Sequence, residues 1–214
     1  MSQRPDPAWK NEFNDRVKAF VLRGDYKRAV AFAKDGLRQY PQEFVCRFQY
    51  AKVLGDYADE LPLKQKKKLK NEAIRILKPL LRSLRGIPAD QRFSVCLNYY
   101  YQTESFKKMS RFGQRFQKTD KQRGIYAQAL GATLVAFELH ENGRSSRAWA
   151  QKAKSSWARY NLKSEKYYFP HYNYAKALAL LGEKKSAMSH LKTAARLSKR
   201  PITDWEFADV MKLI

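Results

Sequence analysis

Trp9, Phe13, Val17 and Phe20 are spaced by four, four and three residues, one apolar stripe on the period of an α-helix. Arg23-Gly24-Asp25 interrupts it. A second stripe follows in Ala29, Val30, Ala33, Leu37 and Tyr40, and Pro41 ends that one, because proline cannot continue a helix interior. Two amphipathic helices joined by a few residues pack antiparallel, and neither covers its apolar face alone. No alternating strand pattern occurs, so the chain is expected to be all-α and built from such pairs.

The unit returns near the C-terminus. Tyr174, Ala175, Leu178 and Leu181 form a first stripe, Gly182-Glu183-Lys184 breaks it, and Ala187, Met188, Leu191, Ala194 and Ala195 form a second before Pro201. In both units a turn glycine precedes a helical alanine by five residues, Gly24 to Ala29 and Gly182 to Ala187; Gly143 to Ala148 repeats the offset.

These features resemble the tetratricopeptide repeat family, whose unit is a helix pair of about 34 residues. Phe13 to Pro41 carries Gly24, Tyr26, Ala29, Gly36, Leu37 and Pro41 at family spacing, and Tyr172 to Pro201 matches with its proline two residues late. In the middle, Ala73 and Met109 take the second-helix positions without a glycine turn before them. The anchors Ala29, Ala73, Met109, Ala148 and Ala187 lie 44, 36, 39 and 39 residues apart, longer than the family unit. The resemblance implies one domain over 1–214, a right-handed α-solenoid of stacked antiparallel helix pairs with about ten or eleven helices. Asp56 to Lys70 holds the largest excess; Pro62 predicts a loop there, then a helix through Leu84 that Pro79 kinks. Thr203 and Glu206 form a capping box ahead of Trp205, Ala208 and Met211, which predicts a capping helix over 203–213.

Charge constrains the partner. Lys and Arg number 43 against 20 Asp and Glu, a formal net charge of +23. Such a surface attracts acidic proteins, nucleic acid or an anionic membrane face. No apolar run is long enough to span a bilayer, Met1 to Lys10 lacks the apolar stretch of a secretion signal, and Cys46 and Cys96 lie far apart in apolar runs. A cytoplasmic protein with two reduced core thiols is expected.

No phosphate-binding glycine loop or dinucleotide fingerprint is present. His140, His171 and His190 have no second His or Cys at ligand spacing in sequence, so neither zinc nor any other cofactor is expected, and His140 reads as a surface residue at a helix end. No general acid and base converge in the sequence, so no enzyme is expected.

The resemblance places a partner groove on the first helix of each pair. At matching offsets its residues are Asn14, Lys18, Phe48, Lys52, Asn98, Tyr101, Thr133, Phe137, Tyr172 and Lys176. Tetratricopeptide grooves hold peptides, some through Lys and Asn that clamp a carboxylate, which implies an acidic protein segment as ligand. Lys64, Lys66, Lys67, Lys68 and Lys70 form the densest basic patch, a second candidate surface, with Arg82, Arg85, Lys107, Lys108, Arg111 and Arg115 extending the bias. The aromatic runs 98–101 and 167–174 read as inter-helix core; stacking on nucleobases is the alternative, and a nucleic-acid-binding repeat protein is the competing function.

Overall fold

The computed structural model describes residues 6–199, 201–202 and 207–214. Among them are eleven α-helices, a 3-10 turn at Leu162–Ser164 and no strand. The helices are α1 (Pro7–Leu22), α2 (Tyr26–Gln39), α3 (Phe44–Asp59), α4 (Leu63–Arg82), α5 (Ala89–Gln102), α6 (Phe106–Phe116), α7 (Lys121–Glu141), α8 (Arg147–Trp157), α9 (Tyr168–Ala179), α10 (Lys184–Ser198) and α11 (Ala208–Met211). The chain divides after Glu104 into two compact units.

In the first unit, α1 packs on α2 and α3, and α3 packs on α2, α4 and α5. Odd helices touch the next odd helix, and each even helix lies against the odd helices before and after it. The buried stripe runs through Phe13, Val17, Ala29, Ala33, Cys46, Tyr50, Leu54, Ala73, Leu77 and Val95. Full burial of a side chain such as Leu77 contributes about 1.5–3 kcal/mol. Gly36 is at the α1–α2 crossing because a Cβ there would strike the Phe13 ring.

The second unit repeats the scheme. α7 packs on α6, α8 and α9, and α9 packs on α7, α8, α10 and α11. The α6–α7 crossing is tight enough to require glycine on both sides. A Cβ on Gly131 would sit 2.6 Å from the main-chain nitrogen of Ser110, and one on Gly113 would strike that of Gln128. At the C-terminal end, Ala175, Leu178, Ala187, Leu191, Phe207 and Val210 form one buried cluster.

The repeat is written in the turns as well. Gly24 at φ +73°, Gly143 at +66° and Gly182 at +77° each close a helix with the same pair of bonds. The amides of Gly24 and Asp25 donate to Val21 and Phe20, those of Gly143 and Arg144 to His140 and Leu139, and those of Gly182 and Glu183 to Ala179 and Leu178. This is the Schellman arrangement, whose left-handed residue is inexpensive only for glycine. Glu104, five residues before Met109, takes the same left-handed conformation at φ +52° without being glycine.

Ala29, Ala73, Met109 and Ala187 are fully buried, as small or slim residues at helix crossings should be. Ala148 is not; it is exposed, and Ala150 and Ala153 face the core instead. α8 begins four residues after Gly143, whereas α2 and α10 begin two residues after Gly24 and Gly182, so the buried face arrives two residues later. α4 ends at Arg82 and not Leu84, with Pro79 inside it. Thr203, Trp205 and Glu206 of the expected cap lie outside the described residues; its end is the short helix α11.

Candidate interaction surfaces

The groove residues of the first unit lie on α1, α3 and α5, which pack side by side. Most are engaged within the unit. Gln49 Nε2 donates to Asn14 Oδ1 at 2.8 Å, tying α3 to α1. Lys52 pairs with Asp56 at 2.6 Å, and half-buried Phe48 stacks on Phe44. Asn98 Nδ2 donates to the Ser94 carbonyl, and the Tyr101 hydroxyl reaches Asp59 at 3.5 Å beneath the Lys70 ammonium. Lys18 is exposed.

In the second unit, Phe137, Tyr172 and Lys176 converge. Lys176 Nζ sits 4.1 Å from the Phe137 ring centre and 4.8 Å from that of Tyr172, a cation held by two aromatic faces. Lys176 is 5% exposed. Its counter-charge is Asp209 of α11, which also accepts the Tyr172 hydroxyl at 2.6 Å. A carboxylate thus already occupies this cage, supplied by the chain itself. Thr133 is fully buried and accepts from Trp157, so it lines no groove.

The basic patch separates into two faces. Lys66 and Lys70 turn toward Asp59, at 3.0 and 3.4 Å, and Lys70 also pairs with Glu104. Lys64, Lys67 and Lys68 face solvent. They continue into a stripe: Lys64, Lys68, Arg75, Lys78 and Arg82 recur at helical spacing along the exposed side of α4. At 1.5 Å per residue the stripe is about 27 Å long. None of these cations is ion-paired with a described carboxylate; the one acidic residue of α4, Glu72, instead accepts the Tyr50 hydroxyl at 2.8 Å.

The same sorting holds in the second unit. α6 exposes Lys107, Lys108, Arg111 and Arg115, and α10 exposes Lys184, Lys185, Lys192 and Arg196. Helices α6, α8 and α10 contain no Asp or Glu, while α5 and α9 contain one Lys or Arg each, Arg92 and Lys176. Positive charge therefore collects on the even-numbered helices α4, α6, α8 and α10. That position was legible in principle, since the 3-4 spacing of Lys and Arg follows the apolar period one face away.

Burial raises the Cys46 and Cys96 thiols to about 11, so both remain protonated at neutral pH. An open cleft of about 240 Å³ lies between Trp9, Phe13 and Phe32, with Glu12 and Arg16 paired across its rim at 3.7 Å. Among the described residues, no three or more His, Cys, Asp or Glu side chains are grouped to hold a metal, and no helix is long and apolar enough to cross a membrane. No family model, curated protein or solved structure matches the chain.

Proposed function

We propose that the protein is a non-catalytic scaffold, a right-handed array of tetratricopeptide-like helix pairs, that binds an acidic segment of another protein through the basic faces of its second helices. One observation carries the reading: Lys64, Lys68, Arg75, Lys78 and Arg82 form a continuous stripe on α4 with no described carboxylate paired to them. Uncompensated like charges at helical spacing repel one another, a cost that an acidic ligand removes. The groove is a weaker candidate, because Asn14, Lys52, Tyr172 and Lys176 already have partners within the fold.

A nucleic acid would meet the same cations through its phosphates. Base stacking favours it less. Tyr167 is the one large aromatic ring that is mainly exposed among the described residues, and it lies on none of the basic helices.

The test compares a fluorescent Glu/Asp-rich peptide of about 20 residues with single-stranded RNA and duplex DNA, across a salt series. Lys64→Glu, Lys68→Glu, Arg75→Glu and Lys78→Glu combined should abolish peptide binding, while Lys18→Glu with Lys52→Glu should leave it nearly intact. Tighter binding of either nucleic acid at equal salt transfers the reading to nucleic acid. Loss through Lys18 and Lys52 alone returns it to the groove.

A further inference from the structure

We propose that α1 is a self-association surface, through which two copies of the chain pair antiparallel about a two-fold axis. α1 uses one side for its own unit: Lys10 pairs with Glu43 at 2.8 Å, Asn14 binds Gln49 of α3, and Phe13 and Val17 are buried. At about 100° per residue, Ala8, Trp9, Glu12, Arg16, Ala19 and Phe20 fall within about 120° of one another, on the side turned away from Lys10 and Asn14. Ala8, Glu12 and Arg16 are exposed there, and Trp9, Ala19 and Phe20 are half-buried.

The order of these six residues makes the face complementary to itself. In a two-fold antiparallel helix pair, residues equidistant from the axis on either side meet, and each contact occurs twice. About an axis at position 14, Glu12 faces Arg16 of the second copy, Trp9 faces its Ala19 and Phe20 faces its Ala8. Opposite charges meet in the centre, and a large ring meets a methyl group on each flank. The methyl groups let the helix axes approach, and each ring gains cover that its own unit leaves incomplete.

The cleft and the charges suit the same occupant. Trp9, Phe13 and Phe32 stack in series with ring centres 5.0 and 5.3 Å apart, and the Arg16 guanidinium lies 5.5 Å from the Phe32 ring centre beside the cleft they line. The Glu12 and Arg16 side chains, 68% and 62% exposed, stand 3.7 Å apart in one copy. In the pair they become a ring of four alternating charges, a network that contributes more than an isolated exposed pair. A net charge of +23 opposes self-association of the chain as a whole. α1 and its cap add nothing to that repulsion, because Asp6, Glu12 and Asp15 balance Lys10, Arg16 and Lys18. One helix face buries less than the roughly 1,200 Å² of a stable interface, so the dimer is weak and concentration-dependent. The surface is independent of the scaffold reading, whose cations lie on even-numbered helices.

Sedimentation equilibrium of the full chain from about 5 to 500 µM, at about 0.3 M salt to screen the general repulsion, tests the pairing. The unaltered chain should form a reversible dimer. Arg16→Glu sets like charges face to face and should weaken association at least about tenfold, although it lowers the net charge. Glu12→Arg combined with Arg16→Glu restores opposite charges and should return the affinity to within about threefold of the unaltered chain. Lys18→Glu, on another face of α1, should leave it nearly unchanged. All three side chains are exposed, and matching melting temperatures establish that each variant is folded. A monomer across the whole range, undiminished association of Arg16→Glu, a double exchange no better than Arg16→Glu alone, or an equal loss through Lys18→Glu overturns the surface.

Discussion

Trp157 donates from its indole Nε1 to the hydroxyl of Thr133 at 3.0 Å, and that hydroxyl donates in turn to the carbonyl of Ala129 at 2.9 Å. Trp157 and Thr133 are both fully buried, so this short chain keys α8 onto α7 inside the core. Tyr126 meets the indole edge-on at 5.8 Å. Thr133→Val keeps the volume and leaves the indole N–H without a partner, which costs about 1–3 kcal/mol. Trp157→Phe loses the bond and opens a smaller cavity than truncation to alanine, so it should cost less than the roughly 3–5 kcal/mol of Trp→Ala. The double variant should lose less than the sum, since it no longer carries an orphaned donor. Urea unfolding of the four proteins measures the coupling; strict additivity would show that the bond contributes nothing.

Glu104 gives a gain in place of a loss. It holds a left-handed turn that three other turns assign to glycine. A non-glycine residue is strained there by about 1–2 kcal/mol. Its exposed pairing with Lys70 offsets little of this, because Lys70 keeps Asp59. Glu104→Gly should therefore stabilise the chain by about 0.5–1 kcal/mol, after the entropy glycine adds to the unfolded state. A lower urea midpoint would mean that the side-chain pairing outweighs the strain.

Glu104 also marks what the sequence made legible and what it did not. The helix pairs were readable because each apolar stripe must find cover, and Gly24 and Gly182 flagged turns that need a left-handed residue. The turn at Glu104 uses the same conformation with a residue that does not flag it, so spacing alone does not register a turn there. Ala148 was misplaced because offsets count residues and cannot see a turn lengthened by two. The pairing of Lys176 with Asp209, and of His171 with His190, depends on which helices become neighbours, and no local spacing encodes that. The cation stripe on α4 is local and was present in the spacing all along; the cluster Lys64 to Lys70 masked it by mixing residues from two faces.

Lys176 and Asp209 should respond unequally to substitution. The Lys176 side chain is 7% exposed and the Asp209 side chain 31% exposed. Asp209→Ala leaves an ammonium buried between Phe137 and Tyr172 without its counter-charge, at a cost of about 3–5 kcal/mol. Lys176→Met fills the same volume with an apolar chain and leaves Asp209 bonded to Tyr172 and partly hydrated, so it should cost under about 1.5 kcal/mol. Adding Lys176→Met to Asp209→Ala should then recover most of the loss. If the double variant is no more stable than Asp209→Ala, the burial of Lys176 is not what makes its partner necessary.

Acid should loosen the α9–α10 pair through the histidines. Both are held below the ordinary value of 6.5, His171 by burial and His190 by burial with the neighbouring His171 adding to it. Well above pH 6.5 neither the folded nor the unfolded chain protonates them, and they contribute no pH dependence. As pH falls through 6.5 the unfolded chain takes up protons that the fold refuses, so stability drops and continues to drop until the lowered folded-state values are reached. Glu165 opposes this drop at His171 and Arg196 reinforces it. Melting temperatures measured from pH 7.5 to 5.5 should decline steadily. His190→Gln removes one of the two proton acceptors and should flatten the decline. An equally steep slope in that variant would assign the acid sensitivity to groups outside this pair.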